Sequence, residues 1–285
     1  MITNLITEDN LNEYEDFLPA DVSENIRRTT YYGLAFQDED GNVDSAVIWY
    51  LRDYEVKSKD TTSHVDWIGA VSEVSGETVM DEYGNMMKVA GTKKSFAQIP
   101  QNDDSKRVTD ILGYAGFDPS DKEGMNLVVT VGKLKELDIV KKARTPSYLK
   151  PINTLLARTF RRGVMNCVVH SGRRLLDDLT TLPMEWFDPE VSCYVEADDR
   201  IDGLLLVHKL PSGKLRVECM CAFGPDLKKD MAYMMRFAIL QAARLYPDDT
   251  EVIIPRRDES TKQLAGYLFP NAAGEQCICG EREEE

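Results

Sequence analysis

The longest regular hydrophobic pattern in the chain runs from 228 to 246. Met231, Met234, Met235, Ala238, Ile239, Ala242 and Leu245 recur there at spacings of three and four, which puts them on one face of a helix, and Pro247 ends the run. The segments before it have a shorter period. Residues 193–196 and 201–210 read as two strands joined through Asp198-Asp199-Arg200, and Pro211-Ser212-Gly213-Lys214 turns the chain into a third at 215–223. A short apolar strand at 251–254, a helix at 259–268 and a closing strand at 276–279 follow the long helix.

The first half reads in the same order. Leu11, Tyr14 and Leu18 fall at helical spacing between Thr7 and Pro19, so 8–28 predicts a helical hairpin. Strands at 31–37 and 43–51 flank the turn Asp38-Glu39-Asp40-Gly41-Asn42, and a third strand covers 64–71. Val79, Tyr83, Met86, Met87 and Ala90 then predict a helix over 75–91; a hairpin turning at Tyr83-Gly84-Asn85 is the alternative. A strand at 96–99, a helix at 105–114 and a strand at 127–131 complete the half. A charged linker at 141–151 leads to a helical stretch at 152–182, interrupted near Gly163 and Ser171-Gly172.

The two halves share words as well as order. Ile99-Pro100-Gln101-Asn102-Asp103-Asp104-Ser105 returns as Ile254-Pro255-Arg256-Arg257-Asp258-Glu259-Ser260, and Val43-Asp44-Ser45-Ala46-Val47-Ile48 as Ile201-Asp202-Gly203-Leu204-Leu205-Leu206. The offsets are 155 and 158 residues, so the register survives with one short indel. A chain of 285 residues is long enough for two cores, and the repeat predicts two α+β domains, 1–142 and 143–285. Each is expected to be a mostly antiparallel mixed sheet flanked by helices.

Charge narrows the partners. A net charge of −15 and a pI near 4.8 exclude nucleic acid and anionic membrane as natural partners, because such binding runs on basic patches and released counterions. The small clusters at Lys141-Lys142-Ala143-Arg144, Arg161-Arg162 and Arg173-Arg174 read as solvated faces, with a phosphate-bearing ligand as the other reading. Neither a basic-then-apolar leader nor a stretch near the roughly 18 apolar residues of a membrane span is present, so a cytoplasmic protein is expected. Six cysteines in that setting are expected as thiols. The pairs Cys219/Cys221 and Cys277/Cys279 suit either a strand face, where a spacing of two points both side chains the same way, or a structural zinc. His64, His170 and His208 have no metal spacing, and no metal is expected.

Several local features resemble the GNAT N-acetyltransferase superfamily: the strand-to-loop transition Cys221-Ala222-Phe223-Gly224-Pro225 before the long helix, the strand-turn-helix from Ile254 to Ser260, Gly116-Phe117 after the first short helix, and the element order of both halves. The resemblance implies an acyl-CoA, acetyl-CoA first, lying where the fourth and fifth strands part. Its pyrophosphate would rest on the amides that open the long helix, where unpaired N–H groups and the dipole favour an anion. The implied contacts are Met220, Cys221, Ala222 and Phe223 with Lys228 and Lys229 in the second half, and Gly69, Ala70, Val71 and Gly76 in the first. The superfamily's cradle has Arg or Gln, two residues, Gly, one residue, then Gly or Ala. Here Met231 and Tyr233 stand where glycines are wanted and Asp230 adds negative charge, while the first half offers Glu73-Val74-Ser75-Gly76-Glu77-Thr78.

The resemblance also implies a base for the amine and often a tyrosine for the leaving thiolate. Laying Val65-Asp66-Trp67-Ile68-Gly69-Ala70-Val71 on Val217-Glu218-Cys219-Met220-Cys221-Ala222-Phe223 puts an acid at one position of both halves, and Glu218 becomes the candidate base. The other reading is an ordinary strand carboxylate facing solvent or an arginine; from the alignment, Glu218→Gln is expected to leave stability nearly unchanged, a large loss marking a structural ion pair. The tyrosine position holds Asp110 and Ala265, with Tyr267 on another helix face. In the superfamily's strand order the 252–253 strand separates the two C-x-C pairs by about 9–10 Å, too far to share zinc. The implied function is an acyl-CoA-dependent N-acyltransferase acting on a small-molecule or peptide amine; the alternative is a non-catalytic binding or assembly module. No pattern in the chain sets an oligomeric state.

Overall fold

A computed structural model describes residues 2–53, 61–142, 145–171, 178–197, 200–256, 259–270 and 272–284. The chain forms two compact units. The first is Met1–Gly124 with Glu275–Glu285 and the second is Met125–Gly274, which differs from the single cut between 142 and 143 read from the sequence. The reason is an exchange of closing strands.

In the first unit the strands are β1 (Ile2–Ile6), β2 (Tyr31–Gln37), β3 (Val43–Asp53), β4 (Thr61–Ala70), β5 (Lys94–Pro100) and, from the far end of the chain, β12 (Gly274–Glu283), in that spatial order. Only β4 and β5 run parallel. The alternation of period two sends Ala35, Ala46 and Ile48 to one face, under Leu11, Tyr14, Leu18 and the helix α1 (Ala20–Asn25). Leu34, Phe36, Val47 and Trp49 go to the other, under α2 (Glu73–Ala90) and α3 (Ser105–Tyr114). The strand β1 was not expected, and 8–28 holds a 3-10 helix at Glu8–Glu13 and the short α1 rather than a full hairpin. At 73–90 the helix prevails over the alternative hairpin.

β12 enters by strand pairing and a polar clamp. Cys277 to Glu283 pair with Pro100 to Lys94, and Glu284 binds Arg282 at 2.8 and 3.0 Å and accepts a hydrogen bond from Ser95. The Arg282 guanidinium lies over the Tyr83 and Phe117 rings at 5.3 and 5.0 Å and donates to the Ala115 carbonyl at 2.7 Å. The Tyr83 hydroxyl sits 2.8 Å from Ser63 Oγ and 2.9 Å from Ser95 Oγ, and burial pushes its pKa up to about 12.

The second unit has the same plan. Its strands run in the order β6 (Ser120–Thr130), β11 (Glu251–Pro255), β10 (Leu215–Ala222), β9 (Arg200–Lys209), β8 (Cys193–Ala197) and β7 (Leu149–Pro151), with β10 and β11 parallel. One face packs on α7 (Leu227–Leu245) and α8 (Glu259–Leu268), with the short α4 (Val131–Lys135) and α5 (Asp138–Lys142) beside α7. The other face packs on α6 (Ala157–Ser171). That helix runs through Gly163 without a break, and a side chain there would meet Ile201 Cδ1 of β9 at 2.6 Å, so the glycine serves the close approach of helix and sheet. The place expected for a closing strand at 276–279 is held by β6 instead. Among the described residues no helix is long and apolar enough to cross a membrane.

Candidate functional site

In both units the two parallel strands separate after a few residues. β4 pairs β5 only over Thr62–Val65, and β10 pairs β11 only over Leu215–Arg216 opposite Val252–Ile253. From Val217 on, β10 keeps β9 as its neighbour but loses β11, which leaves a wedge. At that point β10 is bulged. Val217 opposes Val207 and Cys219 opposes Leu206, so Glu218 has no opposite number. β4 does the same, with Val65 opposite Trp49 and Trp67 opposite Ile48, leaving Asp66 as the extra residue. The sequence alignment that paired Asp66 with Glu218 thus joins two structurally equivalent bulges.

A bulge reverses the inside-outside alternation of its strand. Leu215 and Val217 face α7, and beyond Glu218 so do Met220 and Ala222, while Cys219 and Cys221 face α6. The phase change gives unit 2 an apolar cavity of 220 Å³ between the parted strands, α7 and α8. Leu205, Val207, Ala238 and Ala242 line its buried end, and half-buried Val217, Met220, Ile254 and Pro255 its outer end. Glu218 is the only charged residue lining it among those described. Its side chain is fully buried, and Arg216 Nε donates to Oε1 at 2.5 Å. A charge-assisted hydrogen bond this deep holds the carboxylate in one orientation.

The start of α7 is not an empty anion cradle. Asp230, in the first turn, is buried and accepts a hydrogen bond from the Tyr148 hydroxyl at 3.1 Å. Burial and that carboxylate push the Tyr148 pKa up to about 12. Asp226 precedes the helix, so two carboxylates already answer its dipole. Lys229 lies 3.8 Å from Asp226 and 5.9 Å from the Tyr233 ring centroid, and Lys228 is exposed. Cys221 and Met220 line the cavity, whereas Phe223 stacks on His170 with ring centroids 4.4 Å apart and its amide donates to the Asp202 carbonyl at 2.9 Å.

Unit 1 uses the same positions for packing. The Trp67 ring lies over Gly69, Arg107 of α3 donates to the Ala70 carbonyl, and the Val71 amide donates to the Asp44 carbonyl at 2.7 Å. A side chain at Gly76 would run into Ile111, so that glycine serves the contact between α2 and α3. Ser72 and Ser75 form a capping box that occupies amides at the start of α2. Sequence reasoning did not find Arg107, Arg216 or Tyr148. Each acts through a fold contact, and only the doubled acid hinted at the bulge.

The cysteines sit in packing environments. Cys167 on α6 meets Cys219 and Cys221, and hydrogen bonding among these thiols, with burial, drives its pKa far up. Burial holds Cys277 near 12. Cys277 and Cys279 lie on β12, which pairs with β5 of the first unit. Among the described residues no three His, Cys, Asp or Glu side chains are grouped to hold a metal ion.

Each unit is therefore a mixed sheet whose two parallel strands part beside a long helix, with a bulge at the parting. This is the GNAT fold, present twice. No protein family model and no curated protein matches the chain. Among solved structures, a tandem GNAT protein from the clavulanic acid biosynthesis pathway matches with TM-score 0.61 at 11% identity, over 100% of this chain and 99% of that one. A conserved protein of unknown function from Enterococcus faecalis V583 matches with TM-score 0.53 at 13% identity, over 100% and 72%. A GCN5-related glucosamine N-acetyltransferase region of a fungal multi-domain GH3 β-N-acetylglucosaminidase matches with TM-score 0.56 at 9% identity, over 99% and 38%. The chain has a tandem GNAT fold.

Proposed function

We propose that unit 2 is an N-acyltransferase that takes an acyl thioester, acetyl-CoA being the simplest, and a small-molecule or peptide amine. The observation that carries this reading is the joint presence, in one wedge, of parted strands, an apolar cavity and a buried carboxylate at the bulge. In the transfer a nitrogen–carbon bond forms, the carbon–sulfur bond breaks, and the amine's proton leaves through a base while the thiolate takes one up. Glu218 is the base, held in place by Arg216. The β10 backbone beyond Val217, with no strand beside it on the β11 side, is the element against which the thioester is laid. The acyl end fits this site; the start of α7, with Asp226 and Asp230, does not fit a pyrophosphate.

The second reading, a non-catalytic module, suits unit 1. Beyond the point where β4 leaves β5, Trp67 covers Gly69 and Arg107 of α3 binds the Ala70 carbonyl. Calorimetric titration with acyl-CoA thioesters, followed by thiol release in the presence of a panel of amines, tests the division. One site per chain is expected, with Val217→Trp abolishing binding and Trp67→Ala leaving it unchanged. A protein that binds no acyl thioester at millimolar concentration overturns the reading.

A further inference from the structure

We propose that the unit 2 cavity is a chain-length ruler, holding an apolar acyl chain of about six to nine carbons carried as a thioester; this rests on the acyltransferase reading above. Three observations converge. The first is volume. A cavity of 150 Å³ takes benzene, so 220 Å³ takes about half as many carbons again, far more than an acetyl group fills.

The second is the grading of the lining. Val217, Ile254 and Pro255 at the parting of the strands are half-buried, whereas Leu205 of β9 and Ala238 and Ala242 of α7 are buried. The cavity thus leads inward from the place where the thioester lies, and α7 presents alanines where larger side chains would close it. Among the described residues no charged group but Glu218 lines it, so a chain entering beyond the carboxylate meets a mostly apolar wall.

The third is the start of α7. Asp226 and the buried Asp230 oppose a dianionic pyrophosphate, which removes a major source of affinity for a nucleotide carrier. Binding must then come from apolar burial, which grows with each methylene. The chain is recognised and its carrier is not: a nucleotide thioester and a bare pantetheine thioester of equal chain length are expected to bind alike.

The test is equilibrium binding to the full chain of acetyl-, hexanoyl-, octanoyl- and hexadecanoyl-CoA, of octanoyl-pantetheine and of octanoate. Affinity is expected to rise at least tenfold from acetyl- to octanoyl-CoA and to gain nothing further at hexadecanoyl, with octanoyl-pantetheine within a few-fold of octanoyl-CoA. Ala242→Leu, which fills the buried end, is expected to flatten the series; if it fails to fold, the unmodified chain still decides through its own series. Equal binding of all chain lengths overturns the ruler and leaves the acyltransferase reading standing. Octanoate binding as tightly as its thioesters overturns the thioester as ligand, and no binding of any compound overturns both readings.

Discussion

Arg216 Nε and Glu218 Oε1 are 2.5 Å apart on either side of Val217, with the Glu218 side chain fully buried. The pair changes what a substitution there should do. A solvent-facing acid would tolerate Glu218→Gln; a buried partner of arginine will not, since breaking a buried ion pair by removing one member costs about 3–5 kcal/mol. Glu218→Gln keeps one acceptor and is expected to cost about half of that, whereas Glu218→Leu shows the whole loss. Denaturant midpoints check this, and a loss below about 0.5 kcal/mol for Glu218→Leu would contradict the buried pair.

Asp230 is the second test. If its carboxylate stands where an anion would rest on α7, Asp230→Asn should strengthen CoA binding by about two- to fivefold, the worth of one charge at a helix end. Tyr148→Phe removes only the hydrogen bond and keeps the charge, so it should not produce that gain. Competition calorimetry with CoA reads both, and a weaker Asp230→Asn complex would mean that the carboxylate orders the first turn instead.

His64 should make unit 1 sensitive to acid. It lies between Tyr50 and Phe96, ring centroids 4.8 and 5.1 Å away, and burial with the charge of Arg52 lowers its pKa from 6.5 to about 4. Between those values the unfolded chain binds the proton and the folded one does not, so stability falls as pH drops from about 6.5 to about 4 and is complete above. The contribution is up to about 3 kcal/mol. Urea titrations at pH 7.5 and 5 read the loss, and His64→Phe should remove that part of the slope.

The strand exchange predicts how the chain can be divided. A fragment of residues 1–142 leaves β5 as an uncovered edge and strips Tyr83 and Ser95 of Arg282 and Glu284, so it is expected to aggregate. Residues 125–274, which hold all of unit 2, are expected to fold. Circular dichroism and sedimentation of the two fragments check this, and a soluble, cooperatively melting 1–142 would contradict it.

Much of this was legible from residues alone. α7 was readable because its methionines and alanines keep one face over five turns, and the hairpins because their turns carry Asp, Gly and Pro. The equivalence of Asp66 and Glu218 was readable because the chain could be laid on itself. The bulge was not, since one extra residue leaves no trace in a run where Cys, Met and Ala fit either face. Nor was the exchange of β6 and β12, because two similar strands satisfy either sheet equally until the partners are seen. Arg107 and Tyr148 lay beyond reach for a simpler reason: nothing in their neighbourhood in sequence says which carbonyl or carboxylate they meet.

The placement of β12 has a consequence in time. A ribosome delivers β5 long before the strand that pairs with it, and unit 2 in its entirety emerges between the two. The domain begun first is therefore completed last: until β12 arrives the first half has an open edge, while the second unit already has all of its strands.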